Sequence, residues 1–87
     1  SIWKKMGDEK IFDIVRKLTI IEGDESVPRN VRNRVKNAIV ALEENGSITE
    51  VKIDKALEEL SEIDNDPNLS SYTRTQLWNV VSALECQ

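Results

Sequence analysis

Histidine is absent from this 87-residue chain, and the single cysteine, Cys86, is the penultimate residue. Without an imidazole there is no His general base and no His zinc ligand. One cysteine excludes an intramolecular disulfide, and structural zinc would lack its usual ligands. A thiol near a fraying terminus is also poorly placed as an activated nucleophile. Glycine and proline total five residues, so extended disorder is not expected, and no Gly-rich phosphate loop is present. "DNDPN" at 64–68 offers oxygen ligands without the spacing or central glycine of a calcium loop. No apolar run approaches the length of a membrane span. The first residues carry Lys4, Lys5, Asp8, Glu9 and Lys10 where a signal peptide needs an apolar segment, so a cytoplasmic location is expected. Met6 is a candidate natural start. No catalytic residue, cofactor or metal is expected.

What the sequence has is charge, unevenly spread, and aliphatic side chains, evenly spaced. Residues 1–45 hold nine basic and eight acidic groups, net +1, whereas residues 46–87 hold three basic and eight acidic, net -5. An acidic balance argues against a large phosphate-binding footprint.

The spacing repeats. At an offset of 42 without gaps, Ile11, Leu18, Ile21, Asp24, Arg32, Asn37, Ala41, Leu42 and Glu43 fall on identical residues, nine matches in 33 positions. Each unit reads as a helical hairpin. Ile11, Ile14, Val15, Leu18 and Ile21 correspond to Ile53, Ala56, Leu57, Leu60 and Ile63. Val31, Val35, Ala38, Ile39 and Leu42 correspond to Thr73, Leu77, Val80, Val81 and Leu84. These are four stripes with a helical period. Gly23 and Pro28 bracket the first turn, and Pro67 with Ser70 or Ser71 as a cap brackets the second. Gly46, followed by a Ser47–Glu50 capping box, separates the units.

The expected helices cover roughly 8–22, 28–44, 48–64 and 71–86, with residues 1–7 as an N-terminal arm. The chain then reads as one all-α domain, 1–87, made of hairpins 8–44 and 48–86. Short connections favour antiparallel neighbours, so the fold class is an antiparallel four-helix bundle; a two-unit helical-repeat stack is the alternative.

Charged clusters read as structural features. Glu58, Glu59, Glu62, Asp64 and Asp66 form a solvated acidic face, because a di-metal bundle site would need Glu-x-x-His. Arg29, Arg32, Arg34 and Lys36 on the second helix are candidate nucleic-acid contacts, but they spread around the helix, and pairing with the acidic third helix is favoured. The repeated polar pairs Asp24 with Arg32 and Asp66 with Arg74 read as one joint built twice.

Three strings carry a resemblance: Val27 to Asn30, Asn65 to Asn68, and Thr73 to Asn79. With them the chain resembles uncharacterised protein family 0147, small and mostly archaeal proteins, over about residues 10–85. The resemblance implies a four-helix bundle and an archaeal, cytoplasmic setting. It supplies no activity and no catalytic residue.

The last helix stands apart. Between Thr73 and Glu85 only Arg74 and Glu85 are charged, and Trp78 occupies the place that Lys36 holds in the first repeat. Tyr72, Thr75, Gln76, Trp78, Asn79, Ser82 and Ala83 are the candidate protein interface; the competing reading packs Trp78 onto the core under an arm carrying Ile2, Trp3 and Phe12. The functional expectation is a non-enzymatic protein-interaction or scaffold module, homodimeric through helix four. A nucleic-acid-associated accessory protein using the basic helix is the alternative. The expected partner is a protein or a second copy; membrane is excluded and nucleic acid disfavoured.

Overall fold

Each apolar stripe needs two neighbouring helices to cover it, and the chain meets that need by closing a ring of four. In the computed structural model, α1 is Ile2–Glu22, α2 is Arg29–Glu43, α3 is Thr49–Ser61 and α4 is Ser71–Glu85. A 3-10 turn, Glu62–Asn65, extends α3. The structure describes the backbone of residues 2–44, 46 and 48–85, and the side chains of 11–44, 46, 48–63 and 66–85. Successive helices run antiparallel; α2 packs on α1 and α3, and α4 packs on α3 and α1. The α1–α4 contact closes the ring, which gives a four-helix bundle.

Fifteen of the twenty stripe positions are buried and the other five are partly buried against them. Ile14, Leu18, Leu42 and Leu84 are almost fully shielded from solvent. Off the stripes, Ala41 is buried on α2, and two loop residues are buried as well, Val27 and Leu69. These two are equivalent under the 42-residue offset, and the joint that buries them recurs bond by bond. Asp24 donates its N–H to the Ile21 carbonyl at 3.1 Å and accepts from Val27 N–H at 3.1 Å; Asp66 does the same with Ile63 at 3.0 Å and Leu69 at 3.4 Å. Each aspartate also takes a backbone N–H two residues on, Ser26 at 2.9 Å and Asn68 at 2.8 Å. These are Asx turns, which set the chain reversal without help from a left-handed residue.

The helix starts after the joints are also equivalent, but are solved differently. Pro28 stands one residue before the first helical residue of α2 and accepts Arg32 N–H at 3.0 Å, with no side-chain cap. Ser70, its counterpart, accepts Thr73 N–H on Oγ at 3.2 Å and donates that hydroxyl to Thr73 Oγ1 at 3.0 Å. This satisfies Thr73, the one buried polar side chain among the described residues.

Two expectations need correction. First, α1 begins at Ile2, not near residue 8, so the backbone of 2–7 continues the helix instead of forming an arm. Second, α3 starts after Ile48, which makes no side-chain cap bond, and it ends at Ser61 before the 3-10 turn. Ser47, the expected cap, lies outside the described residues. Gly23 directly follows α1, without a left-handed turn; its N–H still reaches the Thr19 carbonyl at 3.0 Å. Gly46 is the left-handed glycine, at φ +93°. Open space surrounds its Cα, so the backbone angle and not crowding favours glycine there.

Candidate functional site

The two hairpins make the α2–α3 and α1–α4 seams equivalent, so each seam acts as a control for the other. At α2–α3 the outer rim is polar. Arg34 bridges Glu59 and Glu62, both at 3.0 Å, and Asn30 donates to Asp66 Oδ2 at 2.8 Å. The hydrogen bond to Glu59, then the charge of Glu62, raises the Arg34 pKa further above its usual range. These ties accompany the most extensive helix–helix contact in the bundle.

At α1–α4 the same positions carry Gln76 for Arg34, Lys17 for Glu59, Ile20 for Glu62 and Tyr72 for Asn30. No ion pair crosses this seam among the described residues; Lys17 instead pairs along its own helix with Asp13 at 3.3 Å. A shallow pocket opens there, lined by Ile20, Tyr72 and Gln76 above the buried Ile21, Val27 and Thr73. Ile20 is 72% exposed and Tyr72 71%.

The other flank of α4 forms a second groove, against α3. Leu57, Leu60, Leu77, Trp78 and Val81 line it, with Ser61 and Glu85 at the rim. Trp78 is 68% exposed. It therefore does not close the core, which corrects the packing alternative; Phe12, expected to fold over it, is itself 66% exposed. The side chains of Ile2 and Trp3 lie outside those described. Trp78 and Tyr72 stand about 120° apart around the helix axis. The candidate interface is thus two flanks, one toward α3 and one toward α1, joined across the outward Thr75, Asn79 and Ser82. Ala83 and Gln76 sit on the α1 side and are half-buried.

The basic residues of α2 do not converge. Arg34 is committed to the α3 carboxylates. Arg32 is half-buried, its Nε enclosed without a hydrogen-bond partner among the described residues. Arg29 and Lys36 are exposed. This arrangement offers no phosphate-sized cluster of cations. The repeated Asp and Arg lie at the joints: Arg74 Nη2 donates to the Asp66 carbonyl at 3.3 Å. Asp24 is held below its ordinary pKa of 3.8 by hydrogen bonds from the Ser26 hydroxyl and then the Ser26 N–H, against slight desolvation and with help from Arg32.

Among the described residues no group of His, Cys, Asp and Glu side chains could hold a metal ion. Cys86 lies outside those residues, as does the side chain of Asp64. No described helix is long and apolar enough to cross a membrane. Sequence reasoning missed Ile20, an off-stripe isoleucine beside Ile21; its mismatch with Glu62 under the repeat was the available signal.

The pattern of uncharacterised protein family UPF0147 matches residues 2–86. The chain belongs to UPF0147. It is 40% identical over 79 residues to the UPF0147 protein of Sulfurisphaera tokodaii, covering 91% of this chain and 89% of that one. The UPF0147 protein of Methanocaldococcus jannaschii is 38% identical over 82 residues, 94% of this chain and 88% of that one. The UPF0147 protein of Metallosphaera sedula is 40% identical over 79 residues, 91% and 89%. No solved structure matches the chain. As a UPF0147 member the protein is a small archaeal-type helical protein of unknown function, so any site must be argued from its own surface.

Proposed function

We propose that this protein is a non-enzymatic protein-interaction module whose contacting element is α4. The observation that carries the reading is Trp78, 68% exposed at the position where the first repeat places Lys36. A lysine there can lay its stem on the groove and keep its ammonium in water. An indole offers a large apolar surface and one N–H donor, the side chain most enriched at binding hot spots. Tyr72 in place of Asn30 extends the substitution of polar by aromatic surface to the second flank. Homodimerisation through α4 is one form of this function, and a different protein partner is the other.

The test exchanges the second repeat's residues for the first repeat's. A Tyr72→Asn/Trp78→Lys variant should keep its helix content and melting temperature, since those residues already serve the equivalent places in α2. Sedimentation at micromolar concentration reads self-association, and affinity capture from an archaeal host extract reads a partner. The wild type is expected to dimerise or to retain a stoichiometric partner, with the variant doing neither. Identical behaviour of the two proteins in both measurements overturns the reading.

A further inference from the structure

We infer that the α3–α4 groove around Trp78 receives a basic amphipathic helix of another protein; this rests on the reading of α4 as a protein-contact element. The floor supplies the apolar half of the argument. Leu57 and Val81 are only partly covered, and Trp78 stands over them at the groove edge. An apolar channel between two antiparallel helices matches the side-chain rows of a third helix at i, i+3, i+4 and i+7.

The rim supplies the charge. Glu50 and Asp54 continue the α3 face of Leu57 and Ser61 at helical spacing, and Glu85 stands on the facing edge of α4. All three are exposed, and none has an ion-pair partner among the described residues. Among the described residues nearby, Lys55 pairs with Glu44 at 3.4 Å, and Arg74 holds the Asp66 carbonyl. A groove with an aromatic edge and unpaired carboxylates selects lysine- or arginine-bearing surfaces, and the indole face itself attracts such cations.

The same charges weigh against a second copy. A two-fold contact whose axis passes near the acidic end of the groove would oppose Glu50, Asp54 and Glu85 to their own duplicates. The cationic counterpart in this chain, with Arg16 and Lys36, lies on the α1–α2 face across the bundle, so that pairing would be heterologous and run head to tail. Nucleic acid is excluded from this face by its sign.

The experiment uses the full chain with Trp3→Phe, so that Trp78 alone reports by fluorescence. Two helical peptides share one leucine pattern at i, i+3, i+4 and i+7; one carries lysines on its polar face and the other glutamates. The lysine peptide is expected to bind and shift Trp78 emission to the blue, at least about tenfold more tightly than the glutamate peptide. Binding should weaken from about 50 to 200 mM salt. Asp54→Asn/Glu85→Gln should flatten that salt dependence. Trp78→Ala, followed by a labelled peptide, should weaken binding roughly tenfold or more.

Equal binding of the two peptides, no binding of either, or binding indifferent to Trp78→Ala overturns the inference. So does sedimentation showing Trp78-dependent self-association without the peptide. Loss of capture in the Tyr72→Asn/Trp78→Lys variant together with equal peptide binding would remove the charge selection and leave the module standing. Capture and self-association both indifferent to that variant would remove both.

Discussion

Two seams of this bundle are built at equivalent positions and reach opposite solutions. The α2–α3 seam is laced by Arg34, Glu59, Glu62, Asn30 and Asp66, all at its rim. The α1–α4 seam has the same buried floor but places Ile20, Tyr72 and Gln76 where those groups would be. The floor therefore holds the fold and the rim does not. Stripe residues recur because both hairpins need them; rim residues diverge because only solvent or a partner meets them.

If the floor is shared, equivalent core truncations should cost equally. Leu42→Ala and Leu84→Ala, at 2% and 1% exposure, are each expected to lose roughly 2–5 kcal/mol in urea unfolding. Unequal losses would break the equivalence, and a smaller loss for Leu84 would mean that the more sparsely packed α4 collapses around the cavity.

The helix starts after the joints differ in their cap, and that difference can be weighed. Ser70→Ala removes the cap of α4 and strands the Thr73 hydroxyl, so it should cost about 1–2 kcal/mol. Pro28→Ala, at the uncapped counterpart, should cost less. Thermal melts of the pair rank them.

The rims come next. Grafting the tight seam onto the open one with Ile20→Glu/Gln76→Arg should add about 0.2–1 kcal/mol at low salt, and high salt should erase the gain. Burial does not oppose the change, because Ile20 is already 72% exposed. No gain at any salt concentration would mean that α1 and α4 stand too far apart for the bridge.

The smallest effect is in acid. Since folding depresses the Asp24 pKa below 3.8, its stabilisation is complete above that value and fades as pH falls through the lower folded value. A Tm-against-pH series from pH 6 to 2 should show Asp24→Ala losing its deficit relative to wild type at the acid end. A deficit unchanged across the series would mean that the carboxylate charge is irrelevant to the joint.

The four-helix order was legible because apolar residues alone reveal a 3.6-residue period, and the repeat made each stripe corroborate another. Val27 and Leu69 escaped that signal: a loop has no period, and only the identical Asp three residues earlier hinted that both turns tuck a side chain inward. The start of α1 escaped because Lys4, Lys5 and Gly7 interrupt the apolar pattern, while helical backbone tolerates all three. For α4, the sequence identified the unusual exterior and set Trp78 near one flank, but it placed Tyr72 and Gln76 opposite the stripe and not on the other flank. A stripe fixes which way is inward; it does not say that α3 stands on one side and α1 on the other. Those neighbours separate the aromatics into two grooves.

The left-handed turn at Gly46 sits in the one connection between hairpins, at the end of the bundle where α1 begins and α4 finishes. Joining the last residues of α4 to the first of α1 and opening the chain there would exchange the order of the hairpins without moving a helix. Such a circular permutant should fold to the same bundle. The architecture is thus indifferent to which hairpin is made first, and the order of synthesis can vary while the α4 grooves stay in place.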